Sequence, residues 1–383
     1  MNITSLQRTT PWVCVLLLGL SLLLLSACGG QNSVKGGGGG EHNKSESGGT
    51  ASTSGQIAFR RYFDPDQTES AIFTMNPDGS HVSQITHPPE GWRDDTPVWS
   101  PDGKKVAFQR ERPDESMSRI MVLNTDTGDT HEVTHCGPDQ GWTKEHPAPS
   151  GHCVTDFDPA FSPDGDSLAF HRILGPDKEC QDGPEGPGGC RIEGNWIVGL
   201  DGSNPHQVTN VDPKLPTPFF DRDPAFSPDG KMLVFIRDNG VRFAVFVQPI
   251  GSPEDAHQIT PWKMNCQDHP EFSPDGKLVL FRCPPEDEEG PSNLYWVHPD
   301  GTGLHALTHE DADKQYLGSC FSPSFSGGEG WITAGRTGGY GKEGNADVFR
   351  VRIEDGEVVR SENLTKNTLW DSAPCWGSHP PVD

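Results

Sequence analysis

Short apolar segments that end in arginine recur along the chain: "IAFRR" (57–61), "VAFQR" (106–110), "LAFHR" (168–172), "LVFIR" (233–237), "LVLFR" (278–282) and "ITAGR" (332–336). A second apolar segment follows each, "AIFTM", "IMVLN", "NWIVG", "AVFVQ", "LYWVH" and "DVFRV" in turn. A shorter one then closes on Thr86, Thr134, Thr209, Thr260, Thr308 or Thr365. These runs are too short for helices and rich in β-branched and aromatic residues, so they predict strands. Between the second and last segments lie Asp78-Gly79, Thr127-Gly128, Asp201-Gly202, Asp300-Gly301 and Asp355-Gly356, residues suited to tight reversals.

A fourth segment precedes the arginine-ending one and carries Pro-x-aromatic, at Pro97/Trp99, Pro159/Phe161, Pro224/Phe226, Pro270/Phe272, Pro323/Phe325 and Pro374/Trp376. In four copies Ser-Pro-Asp-Gly follows, and the octapeptide Asp158–Gly165 returns letter for letter at Asp223–Gly230. Pro presets φ, Asp bonds nearby backbone and Gly takes the left-handed position, so this is a hairpin turn. The copy at Pro323/Phe325 runs on as Ser326-Gly327-Gly328-Glu329-Gly330 and leaves its turn undefined. Four strands per unit, a period of about 40 residues and no helical pattern predict an all-β fold, a six-bladed β-propeller of four-stranded antiparallel blades. Strands begin at Gln56 with a second strand, while "DSAPCWGS" (371–378) is a first strand without a successor. The C-terminal strand is therefore expected to complete the first blade and close the ring, which removes open edges.

The unit Pro-x-[Phe/Trp]-Ser-Pro-Asp-Gly-Lys resembles the WD40-like β-propeller repeat of the TolB family, over residues 56 to 378. The resemblance implies the propeller. The additional N-terminal domain of that family is not expected here, because the Gly/Ser-rich stretch leaves no room for it, and so the family's role does not carry over with the fold.

Ahead of the repeats, Arg8 precedes the apolar run "VCVLLLGLSLLLLSAC", which reads as an export signal over residues 1–27. Leu25-Ser26-Ala27-Cys28 resembles the lipobox of bacterial lipoproteins, in which the cysteine becomes the lipid-bearing N-terminus. Residues 28–55 form a Gly/Ser-rich flexible tether and residues 56–383 the propeller. The expected location is the cell membrane or outer membrane, lipid-anchored through Cys28 and facing the extracytoplasmic side. A formal net charge of −25 argues against nucleic acid as a partner and favours cations and basic partners.

Eight cysteines lie beyond the signal and lipobox, an even number suited to disulfides in an exported chain, although about a hundred pairings exist. The repeat narrows them. Cys266 and Cys283 face each other across one hairpin, Cys180 and Cys190 flank a Gly/Pro-rich loop, and Cys136 and Cys153 bracket another insertion. Cys320 and Cys375 remain, expected at the entrances of first strands in neighbouring blades.

Alternating strand direction puts the Ser-Pro-Asp-Gly and Asp-Gly turns on one face of the ring. The insertions 111–118, 135–155, 173–193, 210–220, 284–292, 309–319 and 337–345 fall on the other. Binding residues concentrate on loops held by a scaffold. The acidic run Glu286-Asp287-Glu288-Glu289 lies on this long-loop face and reads as a solvated loop. First strands line a propeller's channel, so Asp95, Asp156, Asp158, Asp221, Asp223, Asp268 and Asp371, just before or at their starts, should ring its mouth. Each either caps the strand or pairs with the arginine ending the second strand (Arg61, Arg110, Arg172, Arg237, Arg282, Arg336), or the ring holds a basic ligand or a hard cation such as Ca²⁺. His87, His135 and His309 follow strand-ending threonines, and His146, His152 and His269 lie near the same face. None has metal-ligand spacing, and they read as surface or capping residues.

No cofactor is required by these motifs. There is no Gly-x-Ser-x-Gly elbow and no appended hydrolase domain, so a non-enzymatic module binding a protein, peptide or envelope glycan on the long-loop face is expected. The alternative is a carbohydrate-active enzyme or sugar-binding protein with a cation at the channel mouth.

Overall fold

The computed structural model describes residues 54–114, 117–135, 153–174, 192–209, 220–284, 291–309, 314–338 and 345–382. The signal, Cys28 and nearly all of the tether lie outside the described residues, as do Cys136, Cys180, Cys190, His146, His152 and the acidic run 286–289. Strands β1 (Gln56–Tyr62), β2 (Ser70–Met75) and β3 (Ser83–Gln84) open the ring. Blade two comprises β4 (Arg93–Trp99), β5 (Lys105–Glu111), β6 (Ser118–Asn124) and β7 (Thr130–Glu132). Blade three comprises β8 (Cys153–Phe161), β9 (Ser167–Leu174), β10 (Ile192–Gly199) and β11 (His206–Gln207). Blade four holds β12 (Phe220–Phe226), β13 (Met232–Asp238), β14 (Phe243–Pro249) and β15 (His257–Gln258). Blade five holds β16 (Gln267–Phe272), β17 (Val279–Cys283), β18 (Asn293–Val297) and β19 (His305–Ala306). Blade six holds β20 (Tyr316–Phe321), β21 (Gly330–Thr337), β22 (Ala346–Glu354) and β23 (Glu357–Asn363), and β24 (Trp370–Gly377) returns to blade one. All six sheets are four-stranded and antiparallel, with β24 pairing β1 to give the order β24-β1-β2-β3.

Each blade is held by the repeat's own residues. In the Ser-Pro-Asp-Gly turns, Ser100, Ser162, Ser227 and Ser273 donate from Oγ to the Asp two residues on, at 2.5–2.7 Å. The outermost strands of five blades are only two or three residues long, and the strand-ending threonine supplies the bond a longer ladder would make. Thr86, Thr134, Thr209, Thr260, Thr308 and Thr365 accept at Oγ1 from the amides of Ile72, Ile120, Asn195, Val245, Leu294 and Val348, at 2.8–3.1 Å. Such satisfaction of buried amides is what lets an outer strand stop early.

Hydrophobic burial runs between blades. Ala58 and Ile72 of blade one pack with Trp99, Val106 and Phe108 of blade two. Leu278 and Leu280 of blade five likewise pack with Phe321, Ile332 and Val351 of blade six. Every blade thus needs both neighbours to cover its faces, which is why closure matters. The C-terminal tail adds to it: His379 stacks on Trp99 at 5.2 Å, Gln56 donates to the Pro380 carbonyl at 2.9 Å, and Val382 exchanges bonds with Asn76. A Cβ at Gly377 would stand 2.1 Å from Trp99, so only glycine lets that ring seat against β24.

Blade six departs from the sequence reading. The counterpart of Trp99, Phe161, Phe226, Phe272 and Trp376 is Phe321, which pairs with Ile332 as Trp99 pairs with Val106. Pro323/Phe325 is therefore turn, not strand: the Phe325 amide bonds the Ser322 carbonyl at 3.0 Å, as Gly103 does to Ser100 at 2.9 Å in blade two. The Pro-x-aromatic pattern misaligned this copy because β20 carries Ser319 where the other blades carry proline.

Candidate functional site

The inner strands β24, β4, β8, β12, β16 and β20 line the channel, and their register sorts the channel side chains into layers. Asp94, Asp156, Asp221 and Asp371 stand opposite Arg110, Arg172, Arg237 and Arg61. Each pair makes two charge-assisted bonds, Nε to Oδ1 at 2.7 Å and a second at 2.8–2.9 Å. The guanidinium groups also lie over Phe108, Phe170, Phe235 and Phe59, at 4.8–5.5 Å, a favourable cation–π arrangement. Gln267 takes this position in blade five and Tyr316 in blade six. There Arg282 donates to the Tyr316 carbonyl at 2.8 Å, and Arg336 lies 4.0 Å from the Phe349 ring.

The ring of seven sequence-predicted aspartates thus divides. Asp156, Asp221 and Asp371 are buried and neutralised by arginine. Arg110 takes Asp94, not Asp95. Asp95 instead contacts Arg60 of blade one, which also donates to Ser372 at 2.6 Å. Burial, with Asp95 beside it, pushes the Tyr62 hydroxyl up to about 12 in this sector. The side chain of Asp268 lies outside the described residues. Asp158 and Asp223 come together.

Each inner strand carries one residue in left-handed conformation at a bulge: Thr96, Asp158, Asp223, His269, Gly318 and Ala373, all with φ between 40° and 71°. Left-handed backbone is costly for non-glycine residues, and bulges re-aim side chains. In three adjacent blades this position carries Asp158, Asp223 and His269, whose ligand atoms all lie within 4.8 Å of one another. Burial pushes the Asp223 carboxyl up, but the charge of His269, the hydrogen bond shared with Asp158, and then Arg222 and His171 together hold it below the usual carboxylate range. The Asp158 amide donates to Gln109 at 3.2 Å and the His269 amide to Asp223 at 3.3 Å. Two carboxylates and an imidazole converging from rigid strands can hold a divalent cation or a basic side chain. Among the other described histidines, His87 bonds Gln84, His135 bonds Glu132 and His309 is exposed.

Two residues further along the strands, Glu271, Cys320 and Cys375 occupy one position in adjacent blades where blades two to four have Val98, Ala160 and Ala225. Cys320 Sγ lies 2.8 Å from Cys375 Sγ. Neither sits at a strand entrance, as the misaligned repeat had suggested. Glu271 accepts from the Phe321 amide. Burial raises its carboxyl to about 8, against the bonds from Phe321 and Cys320. On blade five Cys266 and Cys283 are joined across the hairpin. The side chain of Cys153 lies outside the described residues.

His269, Glu271 and Asp94 were missed as site residues by sequence reasoning. The signals were present: a constant separation of 16 residues joins Asp94 to Arg110, Asp156 to Arg172 and Asp221 to Arg237. Glu271 breaks a small-residue position of the repeat, while His269 stands where blades three and four have aspartate.

The class this geometry defines is the six-bladed β-propeller with a polar channel mouth. No family model matches the sequence, and no curated protein matches it. Among solved structures, TolB from Acinetobacter baumannii is similar at 18% identity and a TM-score of 0.57, covering 84% of this chain and 66% of its own. The chain therefore spans about two thirds of that TolB's length. A TolB protein from Agrobacterium tumefaciens is similar at 16% identity and a TM-score of 0.52, covering 86% of this chain and 100% of its own. A chain of a nidogen/laminin complex matches at 9% identity and 0.53, covering 85% and 99%. The architecture is TolB-like, and at these identities the likeness extends to the fold.

Proposed function

We propose that the chain is an exported, lipid-anchored propeller of the cell envelope, a non-enzymatic module that binds a basic segment of a protein or peptide at the channel mouth on its long-loop face. The carrying observation is the meeting of Asp158, Asp223 and His269 at bulged backbone positions of three adjacent blades. Four other channel aspartates are held in two-point arginine pairs within their blades, whereas the ligand atoms of Asp158, Asp223 and His269 converge from three blades, an arrangement in keeping with a bound cation. The net charge of −25 draws basic partners toward it. Fold likeness to TolB, and to a propeller solved in the nidogen/laminin complex, is in keeping with protein binding. The chain enters the ring at Ser54, whose carbonyl accepts from Trp376 Nε1 at 3.2 Å on the short-turn face.

A second reading is favoured by the 4.8 Å spacing of the three ligand atoms: a divalent cation, Ca²⁺ or Mn²⁺, seated in the same cluster. Calorimetric titration of the full-length protein with an oligolysine peptide, Ca²⁺ and Mn²⁺ tests both. Binding of the peptide that weakens at least about tenfold in D158N/D223N supports the module. Peptide binding unchanged in that variant defeats it, and binding of a metal alone gives the site to the second reading.

A further inference from the structure

We infer that the channel mouth, read as the site of a basic segment, takes one lysine side chain end-on: its ammonium seats among Asp158, Asp223 and His269, and its methylene stem lies against Thr96, Gly318 and Ala373. All six residues hold the bulge position of their inner strand, so they share one level of the channel. That level is divided. Blades three, four and five contribute two carboxylates and an imidazole, while blades six, one and two contribute glycine, alanine and threonine. A Cβ built on Gly318 would stand 3.7 Å from the Ala373 Cα, so the small half is continuous across the seam of blades six and one.

Charge alone does not choose between basic residues; donor geometry does. The ligand atoms of Asp158, Asp223 and His269 all lie within 4.8 Å of one another. Three acceptors gathered round one ammonium at ordinary hydrogen-bond length stand about 4.6 Å apart, and its three N–H groups diverge from a single atom to meet them. A guanidinium presents its donors as a planar fork, as Arg110, Arg172, Arg237 and Arg61 do to single carboxylates in this channel. Such a fork matches one carboxylate, not three acceptors arriving from three blades. The small half of the level favours a side chain over a bare ion, because a lysine stem has apolar length to lay against it.

His171 marks the same wall of the channel. It is 5% exposed, and its Nε2 makes no hydrogen bond among the described residues, the Glu193 carboxylate standing 3.4 Å away. Its ring lies 5.9 Å from that of Phe157, the residue before Asp158, and its charge acts on Asp223. A buried ring nitrogen without a partner is costly until a group entering the channel meets it, and the segment that carries the lysine brings polar groups of its own.

Calorimetric titration of the full-length protein with end-blocked tetrapeptides, at about 150 mM salt to screen surface attraction, tests the seat. Tetralysine should bind at least about tenfold tighter than tetraarginine, and by the same margin tighter than its trimethyl-lysine counterpart, which keeps the charge and lacks the N–H donors. A373L and T96L, each checked for a cooperative melt, should weaken tetralysine about tenfold by filling the space for the stem. If neither variant folds, the peptide series on the wild type decides alone. Tetraarginine or the trimethylated peptide binding as tightly as tetralysine, and lost like it in D158N/D223N, overturns the lysine seat and leaves the basic-segment reading standing. Tetraglycine with a free α-amine matching tetralysine gives the seat to a chain terminus and overturns it too. Tetralysine unaffected by both A373L and T96L overturns the end-on stem. Binding of no peptide, or tetralysine binding that ignores D158N/D223N, ends both readings.

Discussion

Asp156 and Asp158 stand two residues apart on β8, and Asp221 and Asp223 stand likewise on β12, yet the first of each pair meets an arginine of its own blade and the second meets side chains of neighbouring blades. Asp156 and Asp221 meet Arg172 and Arg237 in register within their own blade, at 2.7 Å. Asp158 and Asp223 fall on the bulge, where left-handed backbone turns them toward each other and toward His269. Position relative to the bulge, rather than residue type, separates carboxylates paired within a blade from those that converge across blades. The octapeptide shared by blades three and four begins at the second member of each pair, so its leading Asp belongs to the channel cluster while the rest builds the strand and turn.

The strongest challenge to this contrast is to delete one member at a time. D156A leaves Arg172 buried without its carboxylate and should cost about 3–5 kcal/mol in urea unfolding. D158N/D223N should change stability by less, ~1 kcal/mol, because neither carboxylate stands in register with an arginine of its own blade. An equal loss in both variants would place Asp158 among the structural residues. The Asp223 contribution has a pH signature: held below the usual range, it stabilises at neutral pH and is lost as pH falls through about 4 and below. The D223N deficit should therefore shrink in unfolding curves as pH falls below the ordinary carboxylate range.

Asp275 offers a smaller contrast, a turn carboxylate that also crosses between blades. It accepts from the Gly327 amide of blade six at 2.8 Å as well as from Ser273 in its own turn. Burial opposes ionisation, but these bonds and the Lys277 amide pull it down to about 2. D275N should lose ~1 kcal/mol at pH 7, a deficit that shrinks as pH falls from about 4 toward 2. Glu271 has the opposite sign. Its carboxyl is raised, so the native state is most favoured below the ordinary glutamate range and loses stability as pH climbs toward 8. In calorimetry E271Q should melt ~2 °C higher than the wild type at pH 8 and alike at pH 4.

Most of the architecture was legible because each repeated residue answers a local need: proline and glycine for the turn, threonine for a missing ladder bond, arginine for the opposing carboxylate. What escaped was set by register. A one-residue difference separates Asp94 from Asp95, and only the bulge decides which faces Arg110. In blade six, Ser319 in place of proline hid the strand, and with it the alignment of Cys320 beside Cys375 and Glu271. His269 gave no spacing signal because its partners arrive from separate blades, a relation that exists only once the ring has closed.

Closure also decides how the protein bears load. The chain enters at Ser54 and passes directly into β1, whose seven residues are flanked by β24 on one side and β2 on the other. A pull applied to the chain just ahead of Gln56 therefore runs along β1 and shears two ladders at once, instead of peeling an outer strand one bond at a time. The place where the ring was joined is thereby also where it resists tension.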